Sequence, residues 1–331
     1  IIGAGPAGLT AAYELMSSGK TTLLLEKKPQ VGGLAETKVF GKHRYDIGPH
    51  RFFTKNKEVY DLFLKILGDD AVEVKRKTRI LFKNSYFDYP LTPLNALFGL
   101  GIFESIAIIF SYFVARLKSY LKISKITNFE EWVIDKFGAK LFNNFFKNYT
   151  EKVWGIDCKD IGKDWAAQRI KGLSLSTAIK FALFPNSKKR PKTLVDMFYY
   201  PKLGAGMLWE KFEEEIRSKN IEVVKNAEVI NIDDIDEMMT LEYLSDGDLK
   251  KVSCKHVLFS NPLLDFINFY KDELPNDVIN AAAKLEYRNH ISVHITIDEK
   301  LFDDNWIYIH SPELKMARIA DFTNFSKDMS V

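Results

Sequence analysis

Gly3-Ala4-Gly5-Pro6-Ala7-Gly8 fits G-x-G-x-x-G, between the apolar Ile1-Ile2 and a segment, Ala7 to Gly19, that reads as a helix with small residues on one side. The first glycine permits a tight turn, the second removes a Cβ where a pyrophosphate must approach the backbone, and the third lets helix and strand pack closely. The helix N-terminus offers free N–H groups and a partial positive charge to phosphates. Thr21 to Leu25 is β-branched and apolar, as a buried parallel strand requires. These residues predict a βαβ dinucleotide-binding start. Alone the glycine pattern is weak; two additions strengthen it. Glu26 ends the second strand, 18 residues after Gly8, where a carboxylate can accept hydrogen bonds from a ribose diol, and Gly32-Gly33 follows in a loop that can touch the diphosphate again.

The rest of the chain sets the organisation. Its 331 residues, 46% apolar and 27% charged, allow two domains and a sizeable core. A net charge of +3 argues against a dedicated nucleic-acid binder. Cys158 and Cys254 read as reduced, unpaired thiols; with no Cys-x-x-Cys, and with His290 and His294 four apart on an expected strand rather than on one helix face, no metal site is expected. Thr78 to Tyr89 predicts a hairpin turning at Lys83-Asn84-Ser85. Residues 93–183 read as mainly helical, and Lys188-Lys189-Arg190 as a solvated loop. Glu222 to Ile232, Met238 to Leu244 and Lys250 to Ser260 read as strands, the last two joined at Asp246-Gly247. His290 to Ile297 alternates, with Ile291, Val293, Ile295 and Ile297 on one face and His290, Ser292, His294 and Thr296 on the other; strands follow near Trp306 to His310 and Ala317 to Phe322. The expected class is α/β: a Rossmann-like nucleotide domain (1–90 and 204–262) interrupted by a mixed α+β substrate domain (91–203 and 263–331), in a chain that reads as truncated at both ends. Ala96 to Ala115 is long enough to raise the question of a membrane, but Glu104 near its middle and Gly99 and Gly101 favour a buried or interfacial helix. The expected location is the cytoplasm, with attachment to a membrane surface as the second reading; the oligomeric state is left open.

The run Glu26…Val31-Gly32-Gly33-Leu34-Ala35-Glu36-Thr37 resembles the FAD-binding opening of the amine oxidase, protoporphyrinogen oxidase and phytoene desaturase superfamily, the two-dinucleotide-binding-fold type. The resemblance implies FAD as cofactor. It implies contacts from Gly3, Gly5, Pro6, Ala7, Gly8, Glu26, Lys27, Gly32, Gly33 and Leu34, and a backbone contact to adenine at Val229.

Tyr45-Asp46-Ile47-Gly48-Pro49-His50 resembles the segment that lines the flavin in UDP-galactopyranose mutases, as do Tyr149 to Gly155, Trp165 to Arg169, Tyr200 to Gly206 and Trp306 to Asn324 in order and spacing. This branch implies Gly48, Pro49 and His50 at the flavin, with His50 shaping its environment. It implies a small-molecule UDP-sugar substrate held by Arg169 and Arg318 at the diphosphate, with Trp165, Tyr200 and Asn324 nearby. Arginine suits a diphosphate because its planar fork makes two parallel charge-assisted hydrogen bonds. Two departures stand out. Phe52-Phe53-Thr54-Lys55 replaces the second histidine of the mutase segment, and Arg51 replaces an apolar residue. They keep open the alternative of an FAD oxidoreductase acting on an apolar or amine substrate. A chain lacking its ends is expected to hold FAD poorly.

Overall fold

The computed structural model describes residues 1–89, 95, 99–123, 125–169, 197–235 and 238–330. The lysine-rich loop at 188–190 and residues 96–98 of the apolar stretch lie outside these. In chain order the elements are helix α1 (Pro6–Ser17), strands β1 (Leu23–Leu25), β2 (Thr37–Phe40) and β3 (His43–Asp46), helix α2 (Lys57–Leu67), and strands β4 (Ala71–Lys75), β5 (Thr78–Phe82) and β6 (Ser85–Asp88). Helices α3 (Ile102–Tyr120), α4 (Phe129–Phe137), α5 (Asn148–Trp154) and α6 (Lys163–Arg169) follow, then strand β7 (Met197–Pro201) and helix α7 (Gly206–Ser218). Strands β8 (Glu222–Val224), β9 (Ala227–Ile235), β10 (Met238–Ser245) and β11 (Asp248–Cys254), helices α8 (Leu263–Phe269) and α9 (Asn276–Ala282), and strands β12 (Trp306–Ile309) and β13 (Arg318–Ala320) complete the order. The chain divides into two units: Ile1–Val74 with Phe198–Asp298 and Phe325–Val331, and Lys75–Met197 with Glu299–Asn324.

The first unit holds the βαβ start. Ile2 forms parallel bridges to Leu25 and to Phe259, and β1 runs parallel to β8 with Leu24 opposite Val223. Helices α1, α2 and α7 bury Leu9, Ala12, Phe63, Phe212 and Ile216 in one core with Leu24 and Val223. Burying that apolar surface is the main driving force for docking the helices. The continuous strand expected over 222–232 is two strands: it breaks at Lys225-Asn226, where Asn226 takes φ 54°. The turn sends β8 into the parallel sheet and β9 into an antiparallel meander with β10 and β11. The alternating segment His290 to Ile297 is not a strand. Its polar face meets β3, Tyr45 Oη lying 2.6 Å from Thr296 Oγ1, while Ile291, Val293 and Ile295 face outward.

The second unit is a four-stranded sheet in the order β13-β12-β5-β6 with a helical layer. The hairpin expected at 78–89 is present as β5 and β6, and Lys83 and Asn84 adopt the left-handed turn conformations (φ 48° and 59°) that match strand twist. It belongs to this unit rather than to the nucleotide domain, because β5 pairs in parallel with β12, Arg79 opposite Ile307. The core joins Ile80, Phe82 and Phe87 of the sheet to Ile108, Phe129, Val133 and Phe145 of the helical layer. Asn128 caps α4 by accepting the Glu131 N–H on its side-chain oxygen at 2.9 Å. The likewise helical expectation for 93–183 holds for α3 to α6; residues 170–183 lie outside the described residues.

Candidate dinucleotide and substrate sites

The glycine turn is held by the strands around it. Gly3 N–H donates to the Leu25 carbonyl at 2.8 Å, and Gly32 N–H to the Ala4 carbonyl at 2.8 Å. Gly3 has φ +96°, and a Cβ there would sit 2.5 Å from Ser260 Oγ and from Asn261 Oδ1. A Cβ on Gly8 would lie 1.9 Å from the Gly3 carbonyl oxygen, so helix and turn touch as the third-glycine argument requires. Gly5 differs. It has ordinary backbone (φ −75°, ψ −178°), and a Cβ there would meet only Gly33 Cα, at 3.9 Å. Nothing among the described residues demands glycine at this position. Pro6 opens α1 and leaves Ala7 and Gly8 in its first turn, where N–H groups lack helical acceptors.

Glu26 is 8% exposed at the end of β1; its carboxylate accepts the Ala4 N–H at 2.6 Å and the Lys28 N–H at 2.9 Å. Gly33 lies against Gly5, so the second glycine pair does return to the turn. Val229 stands just beyond Ala227, whose N–H donates to the Glu26 carbonyl at 2.8 Å. Lys27 instead pairs with Glu228 at 2.6 Å on the surface, and Leu34 is exposed. The cradle of Gly5, Gly33, the α1 N-terminus and Glu26 fits a dinucleotide diphosphate and ribose.

The segment Tyr45 to His50 is anchored by Asp46, a residue that sequence reasoning quoted but did not single out. Asp46 is fully buried. It accepts the Thr37 hydroxyl at 2.6 Å, the Tyr200 hydroxyl at 2.6 Å and the Ala205 N–H at 3.1 Å, which ties β2, β3, β7 and the start of α7 together. Burial pushes its carboxyl above the ordinary aspartate range despite these donors. Burial and the neighbouring Asp46 raise Tyr200 well above the usual phenol range. Tyr200 is 0% exposed, so it is a core residue and not one that can stack on a base. His50 is half-buried, with Gly48 and Pro49 leading to it, and its buried Nδ1 has no hydrogen-bond partner among the described residues. A Cβ on Gly48 would meet nothing within 4 Å. His294 lies against Tyr45, ring centroids 4.7 Å apart, and burial lowers its pKa.

In the second unit, β12 and β13 carry an aromatic and cationic group. Arg318 lies opposite Tyr308, its guanidinium carbon 5.1 Å from the Tyr308 ring centre and its Nη2 donating to Tyr149 Oη at 3.3 Å. It is exposed, and no carboxylate among the described residues pairs with it. Tyr149 stacks on His310, centroids 4.7 Å apart at 10°, and burial raises its pKa against the pull of Arg318. His310 is 6% exposed, its pKa pushed down to about 3 by burial and by Lys152, and its Nδ1 has no hydrogen-bond partner among the described residues. Lys152 donates to the Ile309 and Ser311 carbonyls at 3.0 and 2.6 Å and so fixes the end of β12.

The other expected substrate residues have structural surroundings. Trp165 packs on Phe129 and Trp154, and Asn324 donates to the Phe302 and Asp304 carbonyls at 3.0 and 2.8 Å. Arg169 is the last residue of α6; its side chain lies outside the described set. Tyr149, Lys152 and His310 were not expected individually as site residues, although all three stand in runs with the mutase resemblance, the first two in Tyr149 to Gly155 and the third in Trp306 to Asn324. Among the described residues no group of three or more His, Cys, Asp or Glu is arranged for a metal ion, and no helix is long and apolar enough to cross a membrane.

Comparison with known proteins agrees with this geometry. Residues 1–66 match the family described as an NAD(P)-binding Rossmann-like domain. A crystal structure of reduced UDP-galactopyranose mutase superposes with a TM-score of 0.80 at 19% identity, covering 100% of this chain and 71% of that one. The chain shares its fold with that mutase, and a putative protoporphyrinogen oxidase from Exiguobacterium sp. 255-15 superposes with a TM-score of 0.67 at 15% identity, covering 99% of this chain and 73% of that one. In sequence the chain is 24% identical over 330 residues to an L-amino-acid oxidase of Crotalus adamanteus, 93% of this chain and 59% of the relative. It is 24% identical over 164 residues to UDP-galactopyranose mutase of Mycoplasma genitalium, 47% of this chain and 39% of that protein. The chain thus spans less than two thirds of the length of either relative. The named relatives include both L-amino-acid oxidases and UDP-galactopyranose mutases.

Proposed function

We propose that the protein is a cytoplasmic FAD enzyme that interconverts the pyranose and furanose forms of a UDP-sugar. The first unit would hold FAD, with Gly5, Gly33 and the α1 N-terminus at its diphosphate, Glu26 at a ribose, Val229 near adenine and Gly48 to His50 beside the flavin ring. Bound FAD would supply an electron-rich ring nitrogen, the nucleophile that sugar ring contraction without net redox change needs. The second unit would hold the substrate.

The observation that carries the sugar-nucleotide reading is Arg318. It is a cation supported by the Tyr308 ring and the Tyr149 hydroxyl, exposed, and without a carboxylate partner among the described residues. Such a group attracts an anion and repels an amine. Its fork can take two diphosphate oxygens, which holds the leaving nucleotide while the sugar reacts. Lys152 keeps the Ile309–Ser311 backbone in place and with it the aromatic support for Arg318. The buried His50 Nδ1 can accept or donate one hydrogen bond to the ligand it faces, according to its tautomer.

The test is conversion of UDP-galactofuranose to UDP-galactopyranose by dithionite-reduced, full-length, flavin-loaded protein, read by chromatography of the nucleotide sugars. No conversion by a fully loaded enzyme overturns the mutase reading. A second reading, an oxidoreductase, draws on the likeness to L-amino-acid oxidase over 93% of this chain, since Arg318 would also suit a substrate carboxylate. Bleaching of the flavin by an L-amino acid, with peroxide formed on reoxidation in air, would support that reading in place of the first.

A further inference from the structure

Helix α3 spans 19 residues and turns a wide apolar face outward. Phe103, Ile106, Phe110, Phe113, Leu117 and Tyr120 recur at three- and four-residue spacings, and Phe103, Phe110, Phe113 and Tyr120 are 86, 70, 64 and 83% exposed. The face it turns to its own unit is narrower and buries Ser105, Ile108 and Ala115. At 100° per residue the exposed apolar arc is about 160° wide. An apolar patch of this extent on a protein surface marks an interaction site.

The charges around the arc decide what it meets. Glu104 is neutralised within the unit by Lys140 at 3.0 Å and Lys83 at 3.7 Å. Arg116 and Lys136 share Asp135. Lys118, Lys122 and Lys125, all exposed, cluster at the C-terminal end of the helix, and none has an ion-pair partner among the described residues. A helix pairing with a second copy of itself keeps charged residues along the flanks of its seam to set register. Here those flanks are Ile102, Ile109, Val114 and Leu121, with Arg116 as the one charged exception. The helix is also about 28 Å long at 1.5 Å per residue and carries Glu104 in its first turn, so it suits lying along a bilayer and not crossing it.

We propose that α3 is a membrane-surface helix that binds anionic lipid, with its phenyl rings seated in the acyl boundary and Lys118, Lys122 and Lys125 at the headgroups. Broad apolar burial plus electrostatic attraction is what such binding requires, and lysine stems can lie along the apolar surface while their ammonium groups reach the phosphates. The proposal stands independently of the substrate, since α3 takes no part in the Arg318 group.

The test is co-sedimentation of the full-length protein with vesicles of phosphatidylcholine containing 30% phosphatidylglycerol, set beside vesicles of phosphatidylcholine alone, the composition being roughly that of a moderately anionic leaflet. We expect binding to the anionic vesicles and at least about tenfold weaker binding to the neutral ones. Phe110→Ser with Phe113→Ser should weaken anionic-vesicle binding at least about tenfold through lost apolar burial. Lys118→Gln, Lys122→Gln and Lys125→Gln together, which leave the apolar packing intact, should weaken it about 100-fold at roughly fivefold per lysine. Wild-type protein that stays in the supernatant with anionic vesicles overturns the proposal. So does a phenylalanine variant that keeps vesicle binding while its mass in solution falls from oligomer to monomer, which would make this face a contact between copies.

Discussion

Gly5 and Gly8 are both glycines of one motif, yet the structure gives them separable work, and two alanine substitutions should part them. At Gly5 a Cβ meets only Gly33 Cα at 3.9 Å, ordinary contact, on a backbone (φ −75°, ψ −178°) that alanine adopts freely. Alanine reduces the freedom of the unfolded chain, a gain of about 0.4–1 kcal/mol, and is a poorer N-cap than glycine by a similar amount, so the apoprotein should melt within about 2 °C of wild type. On the proposed FAD site, the same methyl would occupy the space the diphosphate needs. Losing one charge-assisted hydrogen bond costs about 1.5–3 kcal/mol, so FAD should bind about 10- to 100-fold more weakly. Gly8→Ala does the reverse. Its Cβ would lie 1.9 Å from a backbone carbonyl oxygen, so α1 must move off the turn. Overpacking of this kind costs about 1–3 kcal/mol, and melting should fall by about 5 °C before any ligand is added. The assays are thermal unfolding of full-length apoprotein and quenching of FAD fluorescence on titration. A Gly5→Ala protein that binds FAD as wild type does, or a Gly8→Ala protein as stable as wild type, would refute the assignment of one glycine to the ligand and the other to the fold.

Asp46→Ala should cost about 2–4 kcal/mol in urea unfolding, because the buried donors of Thr37, Tyr200 and Ala205 lose their acceptor. Asp46 itself is raised in the folded state, so its stabilising contribution is complete below the ordinary aspartate value of 3.8 and is lost as pH rises through the folded value; Asp46→Asn should remove that slope. His310 titrates oppositely. Its folded pKa of about 3 lies below the unfolded 6.5, so the unfolded chain binds the extra proton and stability falls by about 1.4 kcal/mol per pH unit as pH drops through that window. His310→Phe, which keeps a ring against Tyr149, should flatten this limb in unfolding measured at pH 7, 5 and 4. Arg318→Lys keeps the charge but loses the fork, and should raise KM for a UDP-sugar about tenfold with melting unchanged; an unaltered KM would remove Arg318 from the substrate site.

Backbone necessity is what made the fold legible. The glycine turn, Glu26 at the end of β1 and the hairpin turns at Lys83-Asn84 and Asp246-Gly247 depend on local conformation and on residue types that few other arrangements tolerate. Long-range pairing left no such mark. Nothing local in Thr78 to Phe82 says that its partner is Trp306 to Ile309, so the hairpin was expected with its sequence neighbours in the nucleotide domain. The single strand read over 222–232 hid its turn because Lys225-Asn226 interrupts the apolar pattern only briefly, and asparagine at positive φ is a weak signal beside glycine. The alternation at 290–297 was real, but alternation does not say which face is covered, and here it is the polar one that meets the protein.

The candidate sites divide along the same line. In the first unit the features that the proposed FAD site uses are gaps, the missing Cβ of Gly5 and the His50 Nδ1 that has no hydrogen-bond partner among the described residues, and gaps can be read as glycines and histidines. In the second unit the features are supports, and a support is defined by what it touches. Tyr200 and Tyr149 are both tyrosines in quoted runs; only packing separates the first, whose hydroxyl bonds a buried aspartate, from the second, whose hydroxyl accepts from Arg318. If Arg318 holds an anion, Tyr149→Phe should leave the fold intact and loosen the guanidinium. KM for a UDP-sugar would then rise about threefold, the equivalent of about 0.7 kcal/mol, the small size following from a long, exposed hydrogen bond of 3.3 Å from the guanidinium, with kcat little changed. A fall in kcat at constant KM would instead place Tyr149 in the chemistry and require a different account of the Arg318 group.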